Sequence, residues 1–141
     1  MSSDKANDAL TVTYFDSRDQ ARELALSLVQ RATRQVCFFG SSLDNVLFDN
    51  MAFIAALSEF CRQSSRTTAK FVVHDTKLNT SHGHRILPLA QQLTSSLFIR
   101  TSSQQHHNLN QYFMIVDDNA YLYGQNNARY EGRSHFDDKA E

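Results

Sequence analysis

A chain of 141 residues that is 41% hydrophobic, with a formal charge of -1 and an isoelectric point near 6.6, has the material for one core and suits a single domain. The absence of a basic excess argues against nucleic acid as a partner, and no apolar run nears the roughly 18 residues needed to span a bilayer. The polar start MSSDKAND has no apolar signal-peptide core, and Cys37 and Cys61 sit in apolar segments, which reads as a cytoplasmic protein with buried, reduced thiols.

Residues 1–9 are expected to be a disordered start, and residues 10–130 to form the domain. Leu10 to Phe15, LTVTYF, alternates β-branched and aromatic residues as a strand does. Asp16 or Ser17 then caps a helix in which Ala21, Leu24, Ala25, Leu28, Val29 and Ala32 recur at helical spacing. The run Gln35 to Gly40, QVCFFG, is continuously apolar and predicts a strand buried on both faces, followed by a turn at Ser41-Ser42-Leu43-Asp44. A second helix is predicted from about Asn50 to Arg62, with Phe53, Ile54, Leu57 and Phe60 as its stripe. Ala69 to His74 reads as a strand, and Asp75 to His82 as a polar loop. A helix follows from about Gly83 to Leu93, in which Pro88 either makes a kink or moves the true start to near Leu87. Ser96 to Arg100 is a short strand, and residues 131–141 read as a flexible tail. Alternating strands and helices predict an α/β fold with a mixed, mostly parallel sheet flanked by helices and ending in a β-hairpin.

That hairpin is the most informative stretch. Phe113 to Val116 is apolar, Asp117-Asp118-Asn119 is a turn cluster, and Ala120 to Tyr123 is a second strand closed by Gly124. The spacing resembles the phospholipase D superfamily pattern His-x-Lys-x4-Asp-x6-Gly-Ser-x-Asn. Asp117, Gly124 and Asn127 fall on its Asp, Gly and Asn; Asn110, Tyr112 and Gln125 replace its His, Lys and Ser. In that superfamily, the resemblance implies, the histidine attacks phosphorus while the lysine and asparagine hold the phosphate. A carboxamide has no basic nitrogen and a phenol no charge at neutral pH, so both functions are lost at Asn110 and Tyr112. The resemblance therefore implies a pseudoenzyme: one phospholipase D-like repeat, covering about residues 10–130, that binds without catalysis. Active members join two such units, so a lone copy implies a homodimer.

The segments FDSRDQARELALSLVQRA, VCFFGSSLDNVLFD, GHRILPLAQQL and NARYEG with HFDD are similar to a proteobacterial domain found alone or after a GNAT-type acetyltransferase domain. An acetyltransferase partner is one expectation from that resemblance, and a role as accessory module of such an enzyme is an alternative function. A further alternative is a phosphodiesterase or nuclease with relocated groups, drawing on His106 or His107 and on Lys77, Arg85, Arg100 or Arg129. Three or four residues of strand move a side chain by roughly 10 to 14 Å, which argues against it.

Ligand clefts of open α/β sheets lie outside the carboxyl ends of the strands, which makes Ser41, Ser42, His74 and Arg100 the candidates for a small-anion pocket. The spacing of His82-Gly83-His84, even with His74 and His106-His107, is too weak for a zinc site, and no cofactor is expected. His74 and Asp75 point to opposite faces of a strand, which argues against an acid–base pair. Asp117 is expected to fix the hairpin turn, and Tyr121 and Tyr123 to pack across strands.

Overall fold

A computed structural model describes residues 12–74, 84–102, 110–126 and 129–136. Strand β1, Thr13–Phe15, is followed by helix α1, Arg18–Arg31. Ser17 caps this helix by accepting a hydrogen bond from the Gln20 amide at 3.2 Å, and Gln20 Oε1 reaches back to accept from the Asp16 amide at 2.9 Å. Asp19 in the first turn and Arg31 in the last complement the helix dipole. Strand β2, Gln35–Gly40, leads to a short helix α2, Asn45–Phe48, and then to helix α3, Met51–Arg62, capped by Asn50. Strand β3 is Thr68–Val73, helix α4 is Ile86–Gln92 and strand β4 is Leu97–Thr101. Pro88 falls in the first turn of α4, where its missing N–H costs no hydrogen bond, so the helix starts late and is not kinked. Strands β5, Tyr112–Val116, β6, Ala120–Gly124, and β7, Gly132–His135, complete the order.

All seven strands form one sheet in the order β1-β7-β6-β5-β2-β3-β4. Only β2–β3 and β3–β4 are parallel; the other four pairings are antiparallel. The expected mostly parallel sheet is thus corrected to a mostly antiparallel one. Parallel neighbours need a crossover, which α2–α3 and α4 supply for β2, β3 and β4; tight connections return β5, β6 and β7 alongside one another instead. The hairpin does not end the sheet either. Strand β7 lies within the stretch expected to be a tail, pairs with both β6 and β1, and has no apolar residue to reveal it in the sequence. The absence of a side chain at Gly132 permits this pairing, since a Cβ there would sit 1.9 Å from the Tyr123 carbonyl oxygen.

The helices pack together over one face of the sheet, and among the described residues no helix covers the other, here called the open face. On the covered face Val36, Phe38, Phe71, Met114 and Leu122 are buried, and Phe48 of α2 joins them edge-on to Phe38, with centroids 4.8 Å apart, and to Phe71, at 5.2 Å. Strand β2 is therefore buried on one face, not two: Val36, Phe38 and Gly40 are covered, while Gln35, Cys37 and Phe39 are half-exposed. Its continuous apolar run hides the alternation because the open face is apolar as well. Cys61 is buried as expected; Cys37 is not fully so, and neither forms a disulfide. No helix among the described residues is long and apolar enough to cross a membrane.

Candidate functional site

The motif residues occupy the middle of the sheet. Asp117 and Asp118 both adopt positive φ, 54° and 65°, and the Asn119 amide donates to Val116 O at 3.1 Å, so the hairpin turns through a mirror-image bend that suits its right-handed strands. The Asp117 carboxylate turns back onto the loop before β2. It accepts from the amides of Thr33 (2.9 Å), Arg34 (2.8 Å) and Gln35 (2.9 Å) and from the Thr33 hydroxyl (3.1 Å). Burial alone would raise its pKa, but these hydrogen bonds outweigh burial and hold it below the ordinary carboxylate value. Asp117 thus locks β5 to β2 as well as fixing its own turn.

Tyr112, at the motif's lysine position, is buried on the covered face. Its ring fills the space left by a missing side chain: a Cβ on Gly124 would come within 2.0 Å of it, and a Cβ on Gly40 within 3.3 Å of the Tyr112 Cβ. Its hydroxyl donates to Arg129 O at 2.9 Å. Alongside, Tyr130 donates to both Asp44 carboxylate oxygens, at 3.2 and 3.0 Å, while Asp44 Oδ1 also caps α2 by accepting from Val46 N and Leu47 N. Burial, reinforced by Asp44, pushes the Tyr130 phenol up to about 12 and raises that of Tyr112 as well. Both phenols are protonated donors at neutral pH. His84, buried beneath, accepts from the Ile86 amide at Nδ1 (3.1 Å), and burial lowers its pKa. Its basic lone pair is therefore already used. Beside this end of β2 the side chains of Tyr112, Tyr130, Asp44 and His84 are thus committed to hydrogen bonds within the fold.

Asn110 and Gln125 are exposed at the mouth of the hairpin, whereas Asn127 lies outside the described residues, as do Asp75, Lys77, His82, His106 and His107. Of the anion-pocket candidates, Ser41 and His74 come together, the His74 amide donating to Ser41 O at 3.1 Å, with Ser42 half-buried next in the chain. Arg100 stands apart on β4, its guanidinium over the Phe98 ring at 5.3 Å and bonded to Ile99 O. Among the described residues no group of three or more His, Cys, Asp or Glu is placed to hold a metal ion.

The open sheet face is a second candidate, one not singled out by the sequence reading. The strand registers align two rows across it. One row runs Arg133, Tyr123, Phe113, Phe39, Val72 and Arg100, extended by exposed Tyr14 on β1. The next runs His135, Tyr121, Ile115, Cys37, Lys70 and Phe98. Phe39 and Phe113 stack with centroids 5.5 Å apart, and the Arg133 guanidinium lies 4.5 Å from the Tyr123 centroid. Neither row contains an aspartate or glutamate. A depression of about 460 Å³ opens between the rows, with Asp118 at its rim receiving the Gln35 side-chain amide at 2.8 Å. The signal was present as aromatic and basic residues at alternate strand positions, obscured where both faces are apolar.

The chain belongs to the family described as Domain of unknown function (DUF7931), whose model matches residues 17–141. No curated protein matches it. Among solved structures its fold is similar to that of TrmBL2, described as an archaeal chromatin protein that shows a novel mode of DNA binding, at 13% identity and a TM-score of 0.58. The likeness covers 90% of this chain and 45% of TrmBL2, so the chain spans less than half the length of that protein. At this identity the likeness is one of fold. It nevertheless corrects the expectation that composition argues nucleic acid away, since a chromatin protein carries this architecture. Net charge is a sum over the whole chain and conceals how charge is distributed: acids and cations mix on the helices, Asp19 and Glu23 with Arg18, Arg22 and Arg31 on α1 and Glu59 with Arg62 on α3, whereas the rows across the sheet carry Lys70, Arg100 and Arg133 and no acid.

Proposed function

We propose that this domain is a non-catalytic, phospholipase D-like module that binds nucleic acid without cutting it. The observation that carries the reading is Tyr112: where the superfamily pattern needs a lysine facing phosphate, a buried phenol fills the space over Gly124 and spends its proton on Arg129 O. The retained Asp117 supports it, because its carboxylate is committed to four donors from Thr33, Arg34 and Gln35 where the chain enters β2 and is free for no acid–base step. The DNA binding stated for TrmBL2 supplies the ligand class, and the sheet face whose two rows carry Lys70, Arg100 and Arg133, with Asp118 only at the rim, gives that class a surface to meet.

The test incubates purified protein with end-labelled oligonucleotides and a chromogenic phosphodiester, with and without chelator, following binding by fluorescence anisotropy and strand length by gel. Binding with intact strands is expected. Release of shortened strands or of the chromophore, lost on substituting one side chain of the protein, would refute the non-catalytic reading.

A further inference from the structure

Resting on the nucleic-acid reading, we propose that the trough between the two rows of the open sheet face takes single-stranded nucleic acid, with bases against its aromatic walls and phosphates on Lys70, Arg100 and Arg133. The rows are two residues apart along each strand, about 6.8 Å, which leaves room for a planar base between them. The rows cross six strands, about 24 Å at ordinary strand spacing, and the depression occupies their β5–β7 part, so a strand lying along the rows would place several nucleotides on the face. Phe113 and Tyr123 stand on one bank of the 460 Å³ depression, Ile115 and Tyr121 on the other, with Arg133 and His135 at one end.

Three features favour this occupant. The rows set aromatic residues between cationic ones, with Asp118 the one acid among the described residues at the rim of the depression, and aromatics with cations hold a single strand by stacking and by phosphate contact whatever its sequence. A second copy of the chain would set Lys70, Arg100 and Arg133 against their own counterparts, with no carboxylate in either row to neutralise them. Duplex DNA keeps its bases paired and stacked, and must open before one could enter the trough.

The test measures anisotropy of labelled oligothymidylate against the matching duplex, with Phe113→Leu/Tyr123→Leu and Lys70→Gln/Arg133→Gln variants. Leucine keeps apolar area and removes the aromatic walls. Single strand is expected to bind at least about tenfold tighter than duplex, and the leucine pair to weaken it by about tenfold or more. Log affinity against log salt should have a slope of about -2 for three phosphate contacts, falling to about -0.7 in the glutamine pair. As a readout needing no variant, oligothymidylate should slow alkylation of Cys37, which sits mid-row. Preference for duplex would overturn the inference and leave the nucleic-acid reading standing, whereas failure of both ligands to bind would remove that reading too. Unchanged binding by the leucine pair, or an unprotected Cys37, would overturn the choice of surface. So would a dimer in sedimentation that oligothymidylate does not dissociate, since a second copy would then cover the face.

Discussion

Replacing Asp117 by asparagine isolates the charge that joins β5 to the loop before β2. Asparagine tolerates the positive φ of 54° at this position, so the turn itself is not strained. Its single carbonyl oxygen can still accept from Arg34 and Gln35, but its NH2 then faces the Thr33 amide and hydroxyl, donor against donor. Two hydrogen bonds to a charged acceptor, worth about 1.5–3 kcal/mol each, are lost, and two more become neutral ones. Thr33 and Arg34 are exposed enough for water to recover part of this, which leaves a destabilisation of about 3 kcal/mol and a drop in Tm of roughly 10 °C. The pH dependence follows from the lowered pKa. The unfolded carboxyl takes up its proton at a higher pH than the folded one, so the charge contributes fully above the unfolded value. That contribution is lost as pH falls through the lower, folded value. Urea denaturation of wild type and Asp117→Asn at neutral pH and at the acid end should show a gap that closes on acidification. A neutral-pH loss under about 1 kcal/mol, or a gap indifferent to pH, would refute the view of Asp117 as a charged clasp.

Gly124→Ala should cost about 3 kcal/mol or more by thermal unfolding, because the added methyl meets the Tyr112 ring, and Tyr112→Leu in the same chain should recover part of that loss. Tyr112→Phe, which removes only the bond to Arg129 O, should cost about 1 kcal/mol by the same measurement. Burial pushes the Cys61 thiol up to about 11, so mass spectrometry after native alkylation at pH 8 should find Cys37 modified and Cys61 intact until the chain unfolds. His84 is held below its ordinary pKa by burial, against the pull of Asp49; its ring should titrate below 6.5 by NMR. The stability this neutral ring contributes is present above the unfolded value and declines as pH falls through the lower folded one.

The helices were legible where side chains announce their ends: Ser17 and Gln20 mark the start of α1, Asn50 that of α3, and Pro88 the first turn of α4. The β5–β6 hairpin was legible from its acidic turn. Helix α2 was not, because four residues behind an Asp44 cap look like the turn they replace. Strand β7 was not, because GRSH is held by backbone pairing and a close approach at Gly132, neither of which leaves an apolar period. Spacing singled out Asp117 and Tyr112, but not that the tyrosine ring would fill the space over Gly124. Nor could composition separate the charges on the helices from those on the open face, since which residues share a face depends on register across strands far apart in sequence.

The sheet's centre joins early chain to late chain: β2 is flanked by β3, close after it, and by β5, whose Val116 pairs with Val36. During synthesis the parallel trio β2–β3–β4 can assemble as it leaves the ribosome, yet one side of β2 keeps its row of amides and carbonyls unsatisfied until the hairpin arrives. A nascent chain halted before Tyr112 therefore presents a sticky strand border to its neighbours, and holdase chaperones should protect this stage of biogenesis.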